Sequence, residues 1–408
     1  MRAPQEKARA HFDAAGVDRV IFVAVRHPEY AGGSTYLSTM TEGLLRIGIP
    51  TETLAVFAGN RRSAEPVQCM HRNEKLHRQS IRSLTHSRAL QAALFARRGI
   101  ERVAHRKAIH RFFSTTNQRT LTVVTHPLAI ALLDSYGAWP QSLPGLKVGQ
   151  HHSSWHSLDL EPGLKVLFTD MYANVDGLTT LSADDITHLR PLLPSTHMCA
   201  IDNPLSPSIA ARMQPPESLA ENFSGRALRA IAMCRLAPEK AVPSMVHLFS
   251  QTQQAISPES GWNLDIFGNG SDRPHVVDAI RSAGASDRVH LRGWADDPAR
   301  EFAQSRLHLM TSVYEGFGLT ILESAACGVP SIAFGVSGGV TRVLNATGGI
   351  LIPPQSGAQY VTALNQFFDD PNAQRERAAA ARHGAEQFLV ESVLERFAEF
   401  VRAIRAGA

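Results

Sequence analysis

Apolar positions along the chain keep switching between two rhythms. Residues 19–25, Arg-Val-Ile-Phe-Val-Ala-Val, form a nearly unbroken apolar run, which predicts a strand buried on both faces, as in a parallel sheet. Breakers from His27 to Ser34 follow, and Leu37, Met40, Leu44 and Leu45 then recur at helical spacing over 35–46. Gly48 closes that helix and 52–57 reads as a second strand, completing a unit that requires a right-handed crossover. The same grammar predicts strands at 120–125, 146–150, 177–181 and 197–201, with helices after Pro127 and from Ala183. A polar, Pro-containing stretch from Asp202 to Gly225 reads as a linker. A second series follows, with strands at 227–233, 263–267, 288–291, 307–310, 331–334 and 349–351 and a helix at 242–252. Last, Val393, Leu394, Phe397, Phe400, Val401 and Ile404 form one stripe of an amphipathic helix. The expected class is α/β, with two Rossmann-like doubly wound domains, 1–205 and 206–389, facing across a cleft, and a closing helix at 390–406. Ligands of such domains collect outside the carboxyl ends of the strands.

Composition narrows the class further. With 44% hydrophobic and 19% charged residues, the 408-residue chain can build a core in each domain, which excludes disorder. No apolar run reaches the roughly 18 to 20 residues of a membrane span, since the best candidate, 121–139, contains His126, Pro127 and Asp134. The charged start, Met1 to Lys7, lacks the apolar stretch of a secretory signal, so a cytoplasmic location is expected. Cys69, Cys199, Cys234 and Cys327 lie far apart with no C-x-x-C pair, which suggests neither a disulfide framework nor a zinc site. The net charge of +4 conceals an imbalance: thirteen Lys or Arg face three acids between Arg61 and Arg111, a block of +10 that leaves the rest at −6. Five histidines share the block, which is either an electrostatic footprint for something anionic or a solvated face of Arg-rich helices.

The richest chemistry lies between Ser312 and Pro330, where a strand end leads into a helix. Gly316 and Gly318 let the backbone approach a ligand, and the free N–H groups at the helix start suit a phosphate. Glu315 precedes the turn and Glu323 lies one and a half helical turns beyond Gly318, placed to accept hydrogen bonds from a ribose diol. The spacing of eight lets the two acids flank one ligand.

This segment, Glu315-Gly316-Phe317-Gly318-Leu319-Thr320 through Glu323, resembles the retaining glycosyltransferases of family four, which have the GT-B fold. The likeness is nearly residue for residue over 312–330 and looser over 228–354. It implies that Gly316, Phe317, Gly318, Leu319, Thr320 and Glu323 bind a nucleotide diphosphate sugar, by preference a UDP-sugar, that Glu315 is catalytic, and that helix 390–406 packs back onto the first domain. Arg235 and Lys240, in Cys234-Arg235-Leu236-Ala237-Pro238-Glu239-Lys240, resemble the family's pair that grips the donor diphosphate, and one forked and one point cation suit that group. Gly268 and Gly270 resemble the family's glycine turn, and Gly32-Gly33 its first glycine loop; tight turns alone would also explain both pairs. Arg292-Gly293-Trp294 falls where the family seats the nucleotide base. A histidine facing the donor sugar is expected at His151 or His152; only one can face the ligand side, and His152 is favoured as the second catalytic residue because Ser153-Ser154 follow it.

The resemblance implies a front-face transfer in which the leaving diphosphate accepts the acceptor's proton, with Arg235, Lys240 and the helix start stabilising its charge. No cofactor and no metal are expected, the cations of the protein taking the metal's place. Thr320-Ile321-Leu322-Glu323-Ser324 and Asn203-Pro204-Leu205 are similar to members that decorate teichoic acid, whereas Gly335-Val336-Ser337-Gly338-Gly339 departs from that subgroup. The expected partners are therefore the nucleotide-sugar donor and a cell-envelope polymer or lipid-linked acceptor, with Arg61, Arg62, Arg97, Arg98, Arg106 and Lys107 as its anion-binding residues. Peripheral contact with an anionic membrane at its inner face fits the same block, and no nucleic acid is expected. A non-catalytic sugar-nucleotide-binding or scaffolding protein, and a phosphorylase or epimerase of the same fold, stay open as alternatives.

Overall fold

In the computed structural model, residues 3–27, 32–59, 67–71, 103, 106–135, 137, 139, 143–215, 219, 222–253 and 261–407 are described. They divide into two units, one of residues 1–201 with 390–408 and the other of 202–389.

The first unit is built on a seven-stranded parallel sheet. Its strands are β1 (Arg19–His27), β2 (Thr51–Ala58), β3 (Val67–His71), β4 (Thr120–Val124), β5 (Leu146–Gln150), β6 (Gly177–Thr180) and β7 (His197–Ala200), in the order β3-β2-β1-β4-β5-β6-β7. Val20, Phe22 and Ala24 point to one face of β1 and Ile21 and Val23 to the other, and all five are buried. That two-sided burial is why the run is apolar throughout. The helix after β1 spans Gly32–Arg46, so the glycine pair lies in its first turn, earlier than the predicted start. Several elements escape the sequence reading, among them the helix Pro4–Ala14, whose apolar content is low, the helices His156–Leu160 and Pro162–Tyr172, and the short edge strand β3.

The last helix, Val390–Ala406, completes this unit. Val393, Leu394, Phe397, Val401 and Ile404 are buried in one core with Phe12, Leu37 and Met40. Two glycines make room for it: a Cβ on Gly43 would sit 2.6 Å from Leu394, and one on Gly177 would sit 2.3 Å from Ile404.

The second unit has six parallel strands: β8 (Arg229–Met233), β9 (Asn263–Phe267), β10 (Val289–Gly293), β11 (Leu307–Met310), β12 (Ser331–Phe334) and β13 (Ile350–Ile352). Their order is β10-β9-β8-β11-β12-β13, so the direction of winding reverses between β8 and β11, which pair with Leu307 opposite Ala230. Loops that leave a sheet at such a reversal diverge and open a crevice at the carboxyl ends of the strands. A core of Ala230, Leu264, Leu309, Ile332 and Tyr360 with helix residues Val246, Phe249 and Leu364 supports it. Among the described residues, no helix is long and apolar enough to cross a membrane.

Candidate functional site

The two strands flanking the reversal carry the motifs that sequence reading singled out. From β8 the chain runs through Arg235 to a 3-10 turn at Pro238–Lys240, passes Ala241 in the left-handed region, and enters the helix Val242–Ser250. From β11 it runs through Thr311 to Gly318 and enters the helix Leu319–Ala326. Thr311 Oγ1 donates to the carbonyls of Lys240 (3.3 Å) and Ala241 (3.1 Å), and the Val313 amide donates to the Glu239 carbonyl (2.9 Å). These bonds lace the two loops together and bring their side chains into register.

The result is an ion pair across the loops. Lys240 Nζ lies 2.5 Å from Glu315 Oε2, with the two side chains only 19% and 22% exposed. Glu315 Oε1 accepts from the amide of Gly316 at 3.1 Å, so both carboxylate oxygens are engaged. Arg235, whose side chain is 68% exposed, pairs with Glu239 on its own loop at 2.5 Å. Each cation expected to grip a diphosphate thus faces one carboxylate, and the cluster is electrically balanced.

Gly318 has φ 79° and N-caps the helix Leu319–Ala326, a backbone that favours glycine. The N–H groups of Leu319 and Thr320, in the first turn, have no partner within the helix. Ser337 Oγ donates to the Gly316 carbonyl at 3.0 Å and accepts from the Val340 amide, fixing the turn from behind. Phe317 stands in the same turn. Its ring is buried and meets Phe388 edge-on at 6.0 Å, so its side chain belongs to the core and only its backbone is offered to a ligand.

Glu323 is half-buried and has no hydrogen bond or ion pair among the described residues. Burial without compensation pushes its carboxyl up to about 7. Gly268 and Gly270 pack against the Arg235 loop: a Cβ would lie 1.8 Å from the Cys234 carbonyl and 2.1 Å from the Leu236 carbonyl, respectively. With the Leu236 amide donating to Asn269 O at 3.0 Å, the two glycines hold the loop that carries Arg235. Arg292 pairs at 3.0 Å with the buried Asp265, which also binds Arg229, while Trp294 beyond it is 66% exposed. Asp184 and Asp185 lie in the first turn of one helix and Asp297 N-caps another, and no group of three metal-ligating side chains occurs among the described residues.

In the first unit the histidines gather where β4 and β5 end. His151 is buried, donates through Nε2 to the Ser154 carbonyl at 3.2 Å and packs on Phe168 at 5.3 Å; burial lowers its pKa to about 4, so it stays neutral. His152 is half-buried, with its ring 4.3 Å from that of Tyr36. Its Nε2 donates at 3.1 Å to Gln150 Oε1, while Gln150 Nε2 donates to the Tyr36 hydroxyl at 2.5 Å, a chain that orients the imidazole. Sequence reading missed His126, which ends β4 in the same way. Its Nδ1 accepts from the Leu128 amide at 3.1 Å, which leaves the proton on Nε2, and burial lowers its pKa. A histidine after an apolar strand and before a helix-starting proline was the available signal. Gly32 and Gly33 are exposed in the first turn of their helix, and a Cβ on Gly33 would meet nothing within 4 Å. Of the basic block, Arg106 and Lys107 are exposed on a helix over 106–113, whereas Arg61, Arg62, Arg97 and Arg98 lie outside the described residues.

Residues 219–384 match the family Glycosyl transferases group 1. An exopolysaccharide phosphotransferase of Streptomyces coelicolor is 27% identical over 190 residues, covering 45% of this chain and 20% of that protein. A poly(glycerol-phosphate) alpha-glucosyltransferase of Bacillus subtilis is 24% identical over 265 residues, 64% of this chain and 37% of that one. The chain therefore spans well under half of either relative. Among solved structures, Anabaena HepE in complex with UDP superposes with a TM-score of 0.70 at 16% identity, covering 93% of this chain and 98% of that one. At that identity the likeness speaks to the fold, which is GT-B: two parallel sheets of seven and six strands with their helices.

Proposed function

We propose that this chain, a GT-B protein whose second unit matches the group 1 glycosyl transferases, is a retaining glycosyltransferase that moves a sugar from a UDP-linked donor to a cell-envelope polymer or lipid-linked acceptor. The observation that carries the reading is the Lys240–Glu315 pair at the β8/β11 reversal, beside the capped helix start at Gly318. A donor diphosphate would draw Lys240 and Arg235 from their carboxylates, and the exchange would free Glu315 to accept a sugar hydroxyl or stabilise positive charge at the anomeric carbon. Because the cations and the first-turn amides supply the positive field that the leaving group needs, no metal is required. His152, held by Gln150 and Tyr36, takes the smaller role of steadying the sugar. UDP-bound HepE and the poly(glycerol-phosphate) glucosyltransferase support the choice of donor and of polymer class, and Arg106 and Lys107 suit a phosphate-bearing acceptor.

The test is transfer of label from UDP-glucose or UDP-N-acetylglucosamine to poly(glycerol phosphate), with stereochemistry read by NMR. Glu315→Ala should abolish transfer while leaving the unfolding midpoint unchanged. Wild-type turnover in that variant, or an inverted product, would overturn the reading.

A further inference from the structure

A cavity of the second unit is lined by Ala241, the residue after Lys240, but by neither Lys240 nor Glu315. It has a volume of about 370 Å³, within the range of small-ligand sites, and opens between the helices Val242–Ser250 and Gly357–Asp369 at the carboxyl ends of β11, β12 and β13. Leu248, Val313, Phe334 and Val336 give it apolar walls, and Val313 stays 62% exposed there. Ser244, His247 and Gln355 stand among them, and none of the lining side chains is an acid, a lysine or an arginine.

Two features single this cavity out. Only Ala241 (φ 46°) and Gln355 (φ 62°) are non-glycine residues with left-handed backbone among the described residues, and both line it. Such conformations are strained and persist where the surroundings impose them, commonly at ligand sites. Ser312 also lines the cavity, and its hydroxyl, which has no hydrogen-bond partner among the described residues, keeps access to solvent there.

We propose that this cavity is a binding site for a neutral sugar ring, distinct from the donor site. A lining without charge disfavours phosphates and ions, apolar walls accept the C–H face of a pyranose, and Ser312, Ser244, His247 and Gln355 offer partners to its hydroxyls. The proposal goes beyond the transfer reaction, because it uses neither Glu315 nor Lys240.

The experiment is saturation-transfer NMR and calorimetry on the full chain with glucose, galactose and N-acetylglucosamine as probes. At least one should bind with millimolar affinity. Ser244→Trp, at an exposed helix position that tolerates the change, should block the cavity and abolish binding, and Ser312→Ala should weaken it about fivefold. Glu315→Ala should bind as the wild type does. Absence of binding for all three sugars, full binding in Ser244→Trp, unchanged affinity in Ser312→Ala, or loss of binding in Glu315→Ala would each overturn the proposal.

Discussion

Lys240 and Glu315 are 75 residues apart in sequence, and their side chains meet at 2.5 Å where the winding of the second sheet reverses. The pair makes each residue the custodian of the other's charge. Removing the cation as Lys240→Met leaves Glu315 partly buried without a counter-charge, while also deleting a donor to the leaving diphosphate. Turnover should fall by roughly 10² to 10³, and stability should change by no more than about 1 kcal/mol, because the pair keeps some contact with water. Steady-state kinetics beside urea denaturation separates the two effects.

Glu323 should make donor binding depend on pH. Its free carboxyl titrates near 7, and ribose hydroxyls donating to the carboxylate would lower that value, so UDP affinity should rise as pH increases from 5.5 and level off above about 7. Glu323→Gln should flatten the difference, as read by calorimetry across that range.

The same residue should also report on stability. A carboxyl whose folded pKa lies above its unfolded 4.5 penalises the fold increasingly as pH rises from there to about 7. Glu323→Gln should therefore stabilise the protein at pH 8, by roughly 1 to 2 kcal/mol after discounting for its remaining exposure, and leave it unchanged at pH 4. Urea midpoints at the two pH values decide.

Gly268 lies at φ 132°, and an added Cβ would press on the Cys234 carbonyl. Gly268→Ala should cost about 3 kcal/mol and shift the Arg235 loop, so a loss of UDP affinity should accompany the lower midpoint. A variant with native stability and affinity would show that the loop is not braced there.

Arg226 is a structural counterpart to the site cations. It donates to the carbonyls of Ser305, Cys327 and Gly328 and stacks over Phe223 at 5.1 Å, and burial lowers its pKa to about 10. Arg226→Met should orphan those carbonyls and cost roughly 2 to 4 kcal/mol, measured by urea denaturation.

Much of this protein was legible in its sequence because strand burial and turn chemistry are local. A strand covered on both faces is mostly apolar, so β1 with its unbroken run stands out, and a helix start at a tight turn demands a residue such as Gly318. Pattern also separated the amphipathic helix Val390–Ala406 from the strands around it. What pattern could not supply was pairing between distant residues. That Lys240 meets Glu315, that Gln150 and Tyr36 orient His152, and that Phe317 turns into the core against Phe388 follow from which strands lie side by side. The raised pKa of Glu323 depends likewise on what surrounds it in space. Sequence determined the elements and the chemical inventory; only the tertiary structure, through strand order and burial, decided which groups share a site and in what charge state.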